Sequence, residues 1–341
     1  MKASLFSALE HLEFIDIEKP YLAADDDVII EVQRVGICGS EVHAFKGTHP
    51  FRNPPSILGH EVVGRVIEAG SAVDHVVLGD HVVVEPHYGC GECARCMAGD
   101  YNLCMAKTIL GTAAWPGAFA EYLRVPARTV YPVDTSLPLE LAALIEPLAV
   151  GMHAARVAAI KPGDRVAVLG SGPIGLATAI AAHAAGAGEI VMTDATDRNL
   201  AIARELLPSE ALDIRSAETA DRLAELAGSC DEVFLSVGLG SVVEAAFQLV
   251  RRKGRVVSIA LFEEPIAIDL NSVMIGEFTL RGSSMYVRED FQAAVDLVTS
   301  RRYPLEKLIT HRFVFDDIDD AMELAAERTD QPIKVILEMT D

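Results

Sequence analysis

The chain has 341 residues, half of them apolar, and is therefore long enough to form about two domains with a sizeable core. Its formal net charge of −21 and its pI near 4.8 argue against nucleic acid or an anionic membrane as a partner, because both attract basic residues. The N-terminus lacks the apolar segment of a signal peptide, and no run of about eighteen apolar residues occurs, so we expect a cytoplasmic protein without a membrane span.

The N-terminal part of the chain is rich in short predicted strands separated by glycine and proline. Residues 28–35 roughly alternate apolar and polar side chains, which is typical of a half-buried strand, and residues 64–70 and 81–85 are also predicted strands. We therefore expect a β-rich module with a small barrel-like fold.

Residues with metal-binding side chains are concentrated in two short stretches of this module. Cys38, Ser40 and His43 lie close together, and His60 and Glu61 follow in the next stretch. Cys38, His60 and Glu61 offer sulfur, nitrogen and oxygen ligands, and a catalytic zinc takes three protein ligands while keeping one position open. A lone Cys or His is commonly a core residue, but the joint pattern favours a zinc site. Ser40 is expected to cap a short helix that carries His43.

A second group of metal-binding side chains consists of four cysteines in a loop at residues 89–104. Cys90, Cys93, Cys96 and Cys104 follow the pattern C-x2-C-x2-C-x7-C, which predicts a closed, tetrahedral structural zinc site. An iron–sulfur cluster is less consistent with this spacing, because the last cysteine of a ferredoxin run follows after three residues and precedes proline.

Residues 139–160 form an alanine-rich helical pattern that Glu146 and Pro147 interrupt. Because proline cannot continue a helix from its middle, we expect a break at this pair and a new helix beginning at Pro147. Glu146 would lie at the joint, either near the metal or simply exposed to solvent.

A glycine motif follows the predicted buried strand at residues 165–169 and opens an alanine-rich helix. This context of strand, G-x-G-x-x-G and helix predicts a dinucleotide-binding turn, in which the pyrophosphate lies at the helix N-terminus. The motif residues are Gly170, Gly172, Pro173, Ile174 and Gly175.

An acidic residue, Asp194, ends the next predicted strand at residues 189–194. Its carboxylate can accept hydrogen bonds from the adenosine ribose and would repel a 2′-phosphate, which favours NAD over NADP. Arg198 lies just downstream and leaves NADP open as the alternative.

Strands and helices continue to alternate to residue 282, with predicted strands at 232–237, 255–260 and 278–282, which indicates a parallel, doubly wound sheet. The strand ends would place Val237, Gly238 and Ile259 near the cofactor. An amphipathic helix after Tyr286 and a final strand at 334–338 are expected to return to the first module.

The order of these motifs resembles the zinc-dependent medium-chain dehydrogenases, and within them the polyol branch of sorbitol, butanediol and threonine dehydrogenases. The resemblance covers nearly the whole chain and implies an α/β protein with two domains. A GroES-like β-rich catalytic domain would comprise residues 1–152 and 287–341, including the four-cysteine lobe, and a Rossmann coenzyme domain residues 153–286. It also implies a homo-oligomer, usually a tetramer and otherwise a dimer.

One departure from the sorbitol dehydrogenases concerns the substrate. They carry Arg-Tyr just after the last Rossmann strand, where this chain has Met285 and Tyr286, so a hydrogen-bond donor for substrate hydroxyls is missing. Residues 286–291 resemble butanediol dehydrogenases instead, whereas residues 115–122 resemble the sorbitol pattern, and the substrate stays open.

The resemblance also implies a mechanism. Zinc lowers the pKa of the substrate hydroxyl, and Ser40 accepts the proton, which the family analogy passes through a ribose hydroxyl to His43. Zinc with the Cys38 thiolate, neutral His60 and the Glu61 carboxylate sums to zero charge, so Glu146 as a fourth ligand would make the site negative. We therefore predict that Glu146 acts through a bound water or exchanges into the site between catalytic states.

The preferred function is thus an NAD-dependent zinc oxidoreductase that acts on a secondary alcohol, a polyol, sugar alcohol or vicinal diol. One alternative is amino-alcohol oxidation, as in L-threonine 3-dehydrogenases. Another is a dinucleotide-binding protein without catalysis, against which the open zinc site argues. The expected partners are a small-molecule substrate and further copies of the chain, with neither nucleic acid nor membrane.

Overall fold

The computed structural model describes residues 1–339. The chain forms two compact units. Unit 1 comprises Met1–Glu146 with Val287–Asp341, and unit 2 comprises Pro147–Tyr286. The first division thus falls at Glu146, within the first turn of a helix, rather than at the predicted residue 152.

The described residues form eighteen β-strands, numbered here in chain order. They are β1 (Lys2–Ala8), β2 (His11–Asp16), β3 (Asp27–Ile37), β4 (Ser56–Ile57), β5 (Glu61–Ala69), β6 (His81–Val84), β7 (His87–Tyr88), β8 (Thr108–Ile109), β9 (Tyr122–Pro126), β10 (Val130–Pro132), β11 (Arg165–Leu169), β12 (Glu189–Asp194), β13 (Glu210–Asp213), β14 (Cys230–Leu235), β15 (Val250–Ser258), β16 (Thr279–Gly282), β17 (Ile309–Val314) and β18 (Lys334–Glu338).

The α-helices lie mostly in unit 2 and in the C-terminal tail. They are α1 (Gly39–Phe45), α2 (Ala94–Met97), α3 (Leu139–Ala142), α4 (Ile145–Ala158), α5 (Pro173–Ala184), α6 (Asp197–Leu206), α7 (Ala217–Glu225), α8 (Gly240–Leu249), α9 (Leu270–Gly276), α10 (Arg288–Thr299) and α11 (Ile318–Glu327).

Unit 1 is built around the long strand β3. This strand pairs in antiparallel fashion with β5, β9 and β18, within a seven-stranded sheet. Its side chains Val28, Ile30 and Val32 belong to one buried apolar core that Leu337 of β18 also joins. The C-terminal tail therefore returns to the first module, as expected.

Unit 2 contains a six-stranded sheet in which all neighbouring strands are parallel. Its order is β13-β12-β11-β14-β15-β16, which is the order of a doubly wound dinucleotide-binding sheet with its reversal between β11 and β14. The predicted Rossmann fold is confirmed, and the residues after β11 and β14 lie at the edge where such sheets bind ligands.

The predicted helix break at Glu146–Pro147 is wrong in position. The helical pattern is interrupted at residues 143–144, and α4 then runs from Ile145 through Pro147 without a break. Pro147 falls in the first turn, where backbone N–H groups have no intrahelical acceptor, so its missing N–H costs no hydrogen bond.

The stretch Leu139–Ala158 that contains this interruption is long and apolar enough to cross a membrane by length and composition. However, 78% of its most apolar window is buried inside the protein, as in the core helix of a folded domain.

Candidate active site

Helix α1 places Cys38 at the edge of the site. Cys38 is its N-cap, with extended backbone dihedrals, and its backbone N–H donates to the Glu41 carboxylate at 2.9 Å. The expectation that Ser40 caps this helix is wrong, because Ser40 is the second helical residue. Glu41, three residues after the cap, takes the capping role through its longer carboxylate.

Glu41 also orients the imidazole of His60. The Glu41 carboxylate is hydrogen-bonded to Nδ1 of His60, and both side chains are buried. This bond leaves Nε2 of His60 for a metal, and a metal-bound histidine commonly has such a carboxylate on its other nitrogen. Sequence reasoning missed Glu41, although its place three residues after Cys38 was a usable signal.

Buried charges hold Glu41 in its ionised form. Burial would raise the pKa of Glu41, but His60 and Arg52 outweigh it and lower the pKa to about 2. Burial would likewise lower the pKa of His60, but Glu41 raises it well above its ordinary value. Nη1 of Arg52 lies 3.5 Å from Glu41 and donates to the Gly111 carbonyl at 3.1 Å.

Glu61 is held by a lysine from the other end of the chain. Nζ of Lys334 donates to the two carboxylate oxygens of Glu61 at 2.6 and 2.7 Å and to the Ile37 carbonyl at 3.2 Å. Burial would lower the pKa of Lys334, but Glu61, Cys38 and Glu146 raise it. Gly36 leaves room for Glu61, since a Cβ at this position would lie 1.9 Å from Oε2 of Glu61.

The predicted catalytic ligands meet at His60. Cys38, Glu41 and His60 form one group, and His60, Glu61 and Glu146 form another, with the ligand atoms of each group within 4.8 Å of one another. Glu146 is only 8% exposed, so the alternative of a solvent-exposed acid is wrong. Sulfur, nitrogen and carboxylate oxygen are the donors that zinc prefers, and the set therefore fits this metal.

Ser40 and His43 lie on α1, the short helix that Cys38 caps. Oγ of Ser40 is buried and has no hydrogen-bond partner within residues 1–339. Nδ1 of His43 lies 2.9 Å from Oγ1 of Thr48. A buried hydroxyl with an unused donor and acceptor fits a place where a substrate hydroxyl binds.

The four cysteines of the lobe come together as predicted. Their ligand atoms lie within 4.8 Å of one another, and Sγ of Cys90 is 3.9 Å from Sγ of Cys96. Tetrahedral zinc with Zn–S bonds of about 2.3 Å places two sulfurs about 3.8 Å apart. Backbone N–H groups donate to Sγ of Cys93 and of Cys104 at 3.5 Å, which suits thiolates. The arrangement fits a closed zinc site.

The glycine motif forms the turn between β11 and α5. Gly170 has φ +105°, and a Cβ there would lie 2.4 Å from Val237. A Cβ on Gly175 would lie 1.9 Å from the Gly170 carbonyl oxygen, so glycine is needed for close helix–strand packing. Gly172 caps α5 and faces open space, and Pro173 and Ile174 form its first turn, where a pyrophosphate would bind.

Asp194 ends β12 and is tied to the glycine loop. Oδ2 of Asp194 accepts from the Ser171 backbone N–H at 2.8 Å, and Oδ1 accepts from Thr196 N–H at 2.8 Å. Oδ2 also accepts from Nδ2 of Asn199 at 3.1 Å. A carboxylate has about four acceptor positions, so one remains for a ribose hydroxyl after these three bonds. Arg198 is the second residue of the following helix α6.

The other predicted cofactor residues follow the ends of neighbouring strands. Val237 and Gly238 come directly after β14, beside Ser236, whose hydroxyl donates to the Gly170 carbonyl at 2.8 Å. Ile259 follows β15, and its N–H donates to the Leu235 carbonyl at 3.0 Å. These residues lie at the same edge of the sheet as the glycine motif.

Two known families match long segments of the chain. Residues 24–135 match the alcohol dehydrogenase GroES-like domain, and residues 173–300 match the zinc-binding dehydrogenases. The chain is 33% identical to L-idonate 5-dehydrogenase from Vitis vinifera, over 92% of this chain and 88% of that protein. It is 31% identical to sorbitol dehydrogenase from Bacillus subtilis, over 99% and 97%.

Several solved structures resemble this protein over nearly the whole chain. The 2R,3R-butanediol dehydrogenase of Bacillus subtilis has a TM-score of 0.90 at 29% identity, with 99% of both chains covered. A zinc-binding dehydrogenase from Sinorhizobium meliloti, bound to NADP, has a TM-score of 0.91 at 28% identity, again with 99% of both chains covered. An alcohol dehydrogenase from Escherichia coli in complex with NADH gives 0.91 at 27% identity, also with 99% of both chains covered. The chain therefore belongs to the zinc-dependent medium-chain dehydrogenases, and its likeness to the sorbitol and idonate enzymes places it in their polyol branch, as the order of its motifs predicts.

Proposed function

We propose that this protein oxidises a secondary alcohol of a polyol, sugar alcohol or vicinal diol with NAD, using a zinc ion held by Cys38, His60 and Glu61. The observation that carries the proposal is the convergence of thiol, imidazole and carboxylate ligand atoms in two groups that share His60. Such a mixed set with room for a further ligand is typical of catalytic rather than structural zinc.

Zinc bound at this site supplies Lewis acidity toward a substrate hydroxyl. Ser40 accepts the proton of that hydroxyl, because its Oγ is the buried hydroxyl beside the donor set that makes no other hydrogen bond within residues 1–339. His43 takes the proton toward solvent, and its imidazole suits this task because an imidazole can both accept and donate a proton. Thr48 fixes the His43 ring through the contact at Nδ1.

Lys334 changes the total charge around the zinc site, and that total was one reason to expect that Glu146 does not bind zinc permanently. Cys38, Glu61 and Glu146 together bring three negative charges, and the buried ammonium of Lys334 offsets one of them. The charges of a zinc ion, all three ligands and Lys334 would then sum to zero, so charge alone no longer disfavours Glu146 as a ligand. We keep the prediction that Glu146 acts through water or by exchange, because a permanent fourth ligand would close the position that the substrate needs.

NAD is the coenzyme that we propose, on the strength of Asp194. Its carboxylate is fixed beside the glycine loop by Ser171 N–H, where a 2′-phosphate would meet a negative charge. One solved relative is bound to NADP and another to NADH, so direct comparison of the two coenzymes is the decisive assay.

The protein is also proposed to assemble as a homo-oligomer, through the β16 edge of unit 2. Strand β16 ends the six-stranded sheet and is largely exposed, and the neighbouring helix α9 exposes Leu270, Met274 and Ile275. An exposed edge strand beside apolar side chains is suited to pairing with a second copy about a two-fold axis. Light scattering of the protein and of Ile275→Glu would test this, since a lower mass for the variant is expected. An unchanged mass would contradict this interface.

A tetramer, which we propose as the oligomer, would require a second interface. We also propose a cytoplasmic location, because the six cysteines form no disulfide within residues 1–339, which suits a reducing compartment.

The experiment that tests the proposed activity follows NADH absorbance with zinc-loaded protein. NAD and NADP are each offered with polyols, vicinal diols, L-idonate and L-threonine. We expect turnover of at least one polyol, sugar acid or diol with NAD, and little with L-threonine. Turnover of L-threonine alone would support the amino-alcohol alternative, and no turnover of any secondary alcohol would support a binding protein.

A further inference from the structure

We propose that a cavity beside the four-cysteine lobe, in unit 1, binds a small oxyanion such as inorganic phosphate or a carboxylate. The cavity has a volume of about 180 Å³ and is separate from the donor set around His60. One wall comes from the lobe, through Gly89, Gly91 and Tyr101, and another from Arg128 and Arg288. It is large enough for a phosphate ion and several waters.

Two guanidinium groups line the cavity. Arg128 lies over the ring of Tyr88 at 4.3 Å, and Nη2 of Arg288 donates to the Arg128 carbonyl at 2.7 Å. Within residues 1–339 neither guanidinium has a carboxylate oxygen within 4.0 Å, although the chain has 50 acidic residues. Guanidinium groups bind planar and tetrahedral oxyanions through paired hydrogen bonds, so a pair without carboxylate partners is suited to such a ligand.

The buried acid of the cavity does little to cancel these two charges. Glu85 is 2% exposed and accepts hydrogen bonds from the hydroxyls of Tyr101 and Tyr131. Burial raises the pKa of Glu85 to about 7, against the opposing effect of the two tyrosines and of Arg288, while Glu289 on α10 acts in the same direction as burial. Near neutral pH, Glu85 therefore cancels only part of the charge of the two guanidinium groups. The other negative charge at the cavity belongs to the four-cysteine lobe, whose Cys96 lines it and whose zinc would offset two of the four thiolate charges.

An anion in this position would join two parts of unit 1. The lobe contributes Tyr101 and the glycine backbone, whereas Arg128 follows β9 and Arg288 begins α10. A ligand that binds only the folded arrangement stabilises it by mass action. Occupancy should therefore hold the lobe in place and slow the loss of its metal.

Calorimetric titration of the full-length, zinc-loaded protein with inorganic phosphate tests the site directly. One saturable site per chain is expected in wild type, with about tenfold weaker binding in Arg128→Gln and in Arg288→Gln. Arg252→Gln removes an exposed arginine of unit 2 and should bind like wild type. Glu85→Gln removes the opposing acid and should bind at least as tightly. A parallel titration with acetate and oxalate distinguishes phosphate from carboxylate as the preferred ligand.

Absence of saturable binding for all three anions would overturn the proposal, as would equal loss in Arg252→Gln, which would indicate general charge screening. If the glutamine variants do not fold, Arg128→Lys and Arg288→Lys keep the charge but lose the paired donors, and binding should still weaken. The second measurement is zinc release to a coloured chelator. Saturating phosphate should slow release of one zinc in wild type and in Arg252→Gln but not in Arg288→Gln, and equal release rates with and without phosphate in wild type would contradict the bridging role.

Discussion

The ammonium of Lys334 lies 2.6 and 2.7 Å from the two carboxylate oxygens of Glu61, and both side chains are buried. The pair joins β18 to the start of β5, and it places a compensating positive charge directly behind a predicted zinc ligand. Removing one member of a buried ion pair leaves an uncompensated charge, which is far more costly than removing an exposed one.

Lys334→Met should therefore lower the free energy of unfolding of the metal-free protein by about 3 kcal/mol. Lys253→Met is the matched control, because Lys253 pairs with Glu277 at an exposed site, and it should cost less than about 1 kcal/mol. Urea denaturation of both variants measures the difference. A similar small loss in both would mean that the buried pair contributes little.

Glu146→Gln tests the role of the acid in the second donor group. Removing its charge should slow hydride transfer while zinc content stays near that of wild type, because Cys38, His60 and Glu61 hold the metal. Zinc analysis and NADH formation with deuterated substrate measure the two properties separately. Loss of the catalytic zinc from this variant would instead show that Glu146 is a permanent zinc ligand.

Cys104→Ser tests the four-cysteine lobe. Cys104 is the buried member of the set, and its loss should reduce the zinc content from about two ions per chain to about one. Cys230→Ser is the control, because Cys230 is also buried but belongs to β14 of unit 2. The control should keep both ions, and full zinc content in Cys104→Ser would exclude a closed site in the lobe.

Asp194→Asn should shift coenzyme preference toward NADP. The substitution removes the charge that repels a 2′-phosphate and weakens the acceptor for ribose hydroxyls, so kcat/KM with NAD should fall by about tenfold. Initial rates with the two coenzymes give the ratio. If wild type already prefers NADP, the assigned role of Asp194 is incorrect.

The raised pKa of Glu85 predicts a pH-dependent stability. Its folded-state pKa of about 7 lies above the ordinary value of 4.5, so between these values the folded protein keeps a proton that the unfolded chain has released. Stability from this group is therefore present at low pH and is lost as the pH rises toward 7. Between about pH 5.5 and about pH 8, wild type should lose about 2 kcal/mol more than Glu85→Gln.

Unfolding free energies of the two proteins at both pH values give this difference. Glu232, whose pKa burial also raises to about 7, is present in both proteins and cancels. Parallel pH dependences in wild type and variant would show that Glu85 is ionised throughout.

The zinc and dinucleotide sites could be predicted from local motifs, because the residues of each motif lie close together in the sequence. The strand, glycine turn and helix around Gly170 form one unit, and the cysteine spacing of the lobe describes one metal directly. Lys334 could not be found this way, because it lies 273 residues from Glu61 in the sequence and is brought beside it by the pairing of β18 with β3. No spacing rule connects two such positions.

Two local predictions were wrong for a different reason. Ser40 is a good helix cap by residue type, yet the Glu41 side chain bonds to the Cys38 N–H, and the helix begins two residues earlier, with Cys38 as its cap. Pro147 was expected to break a helix, yet it lies in the first turn, where proline is tolerated. Residue propensities predicted that a helix begins near each position, but they did not predict the residue at which it begins.

The most direct test of the central claim is a zinc-edge anomalous difference map from crystals of the zinc-loaded protein. The account predicts a peak about 2.3 Å from Sγ of Cys38 and about 2.1 Å from Nε2 of His60, with a second peak inside the four-cysteine lobe. A peak in the lobe alone, in protein that oxidises a secondary alcohol, would contradict it.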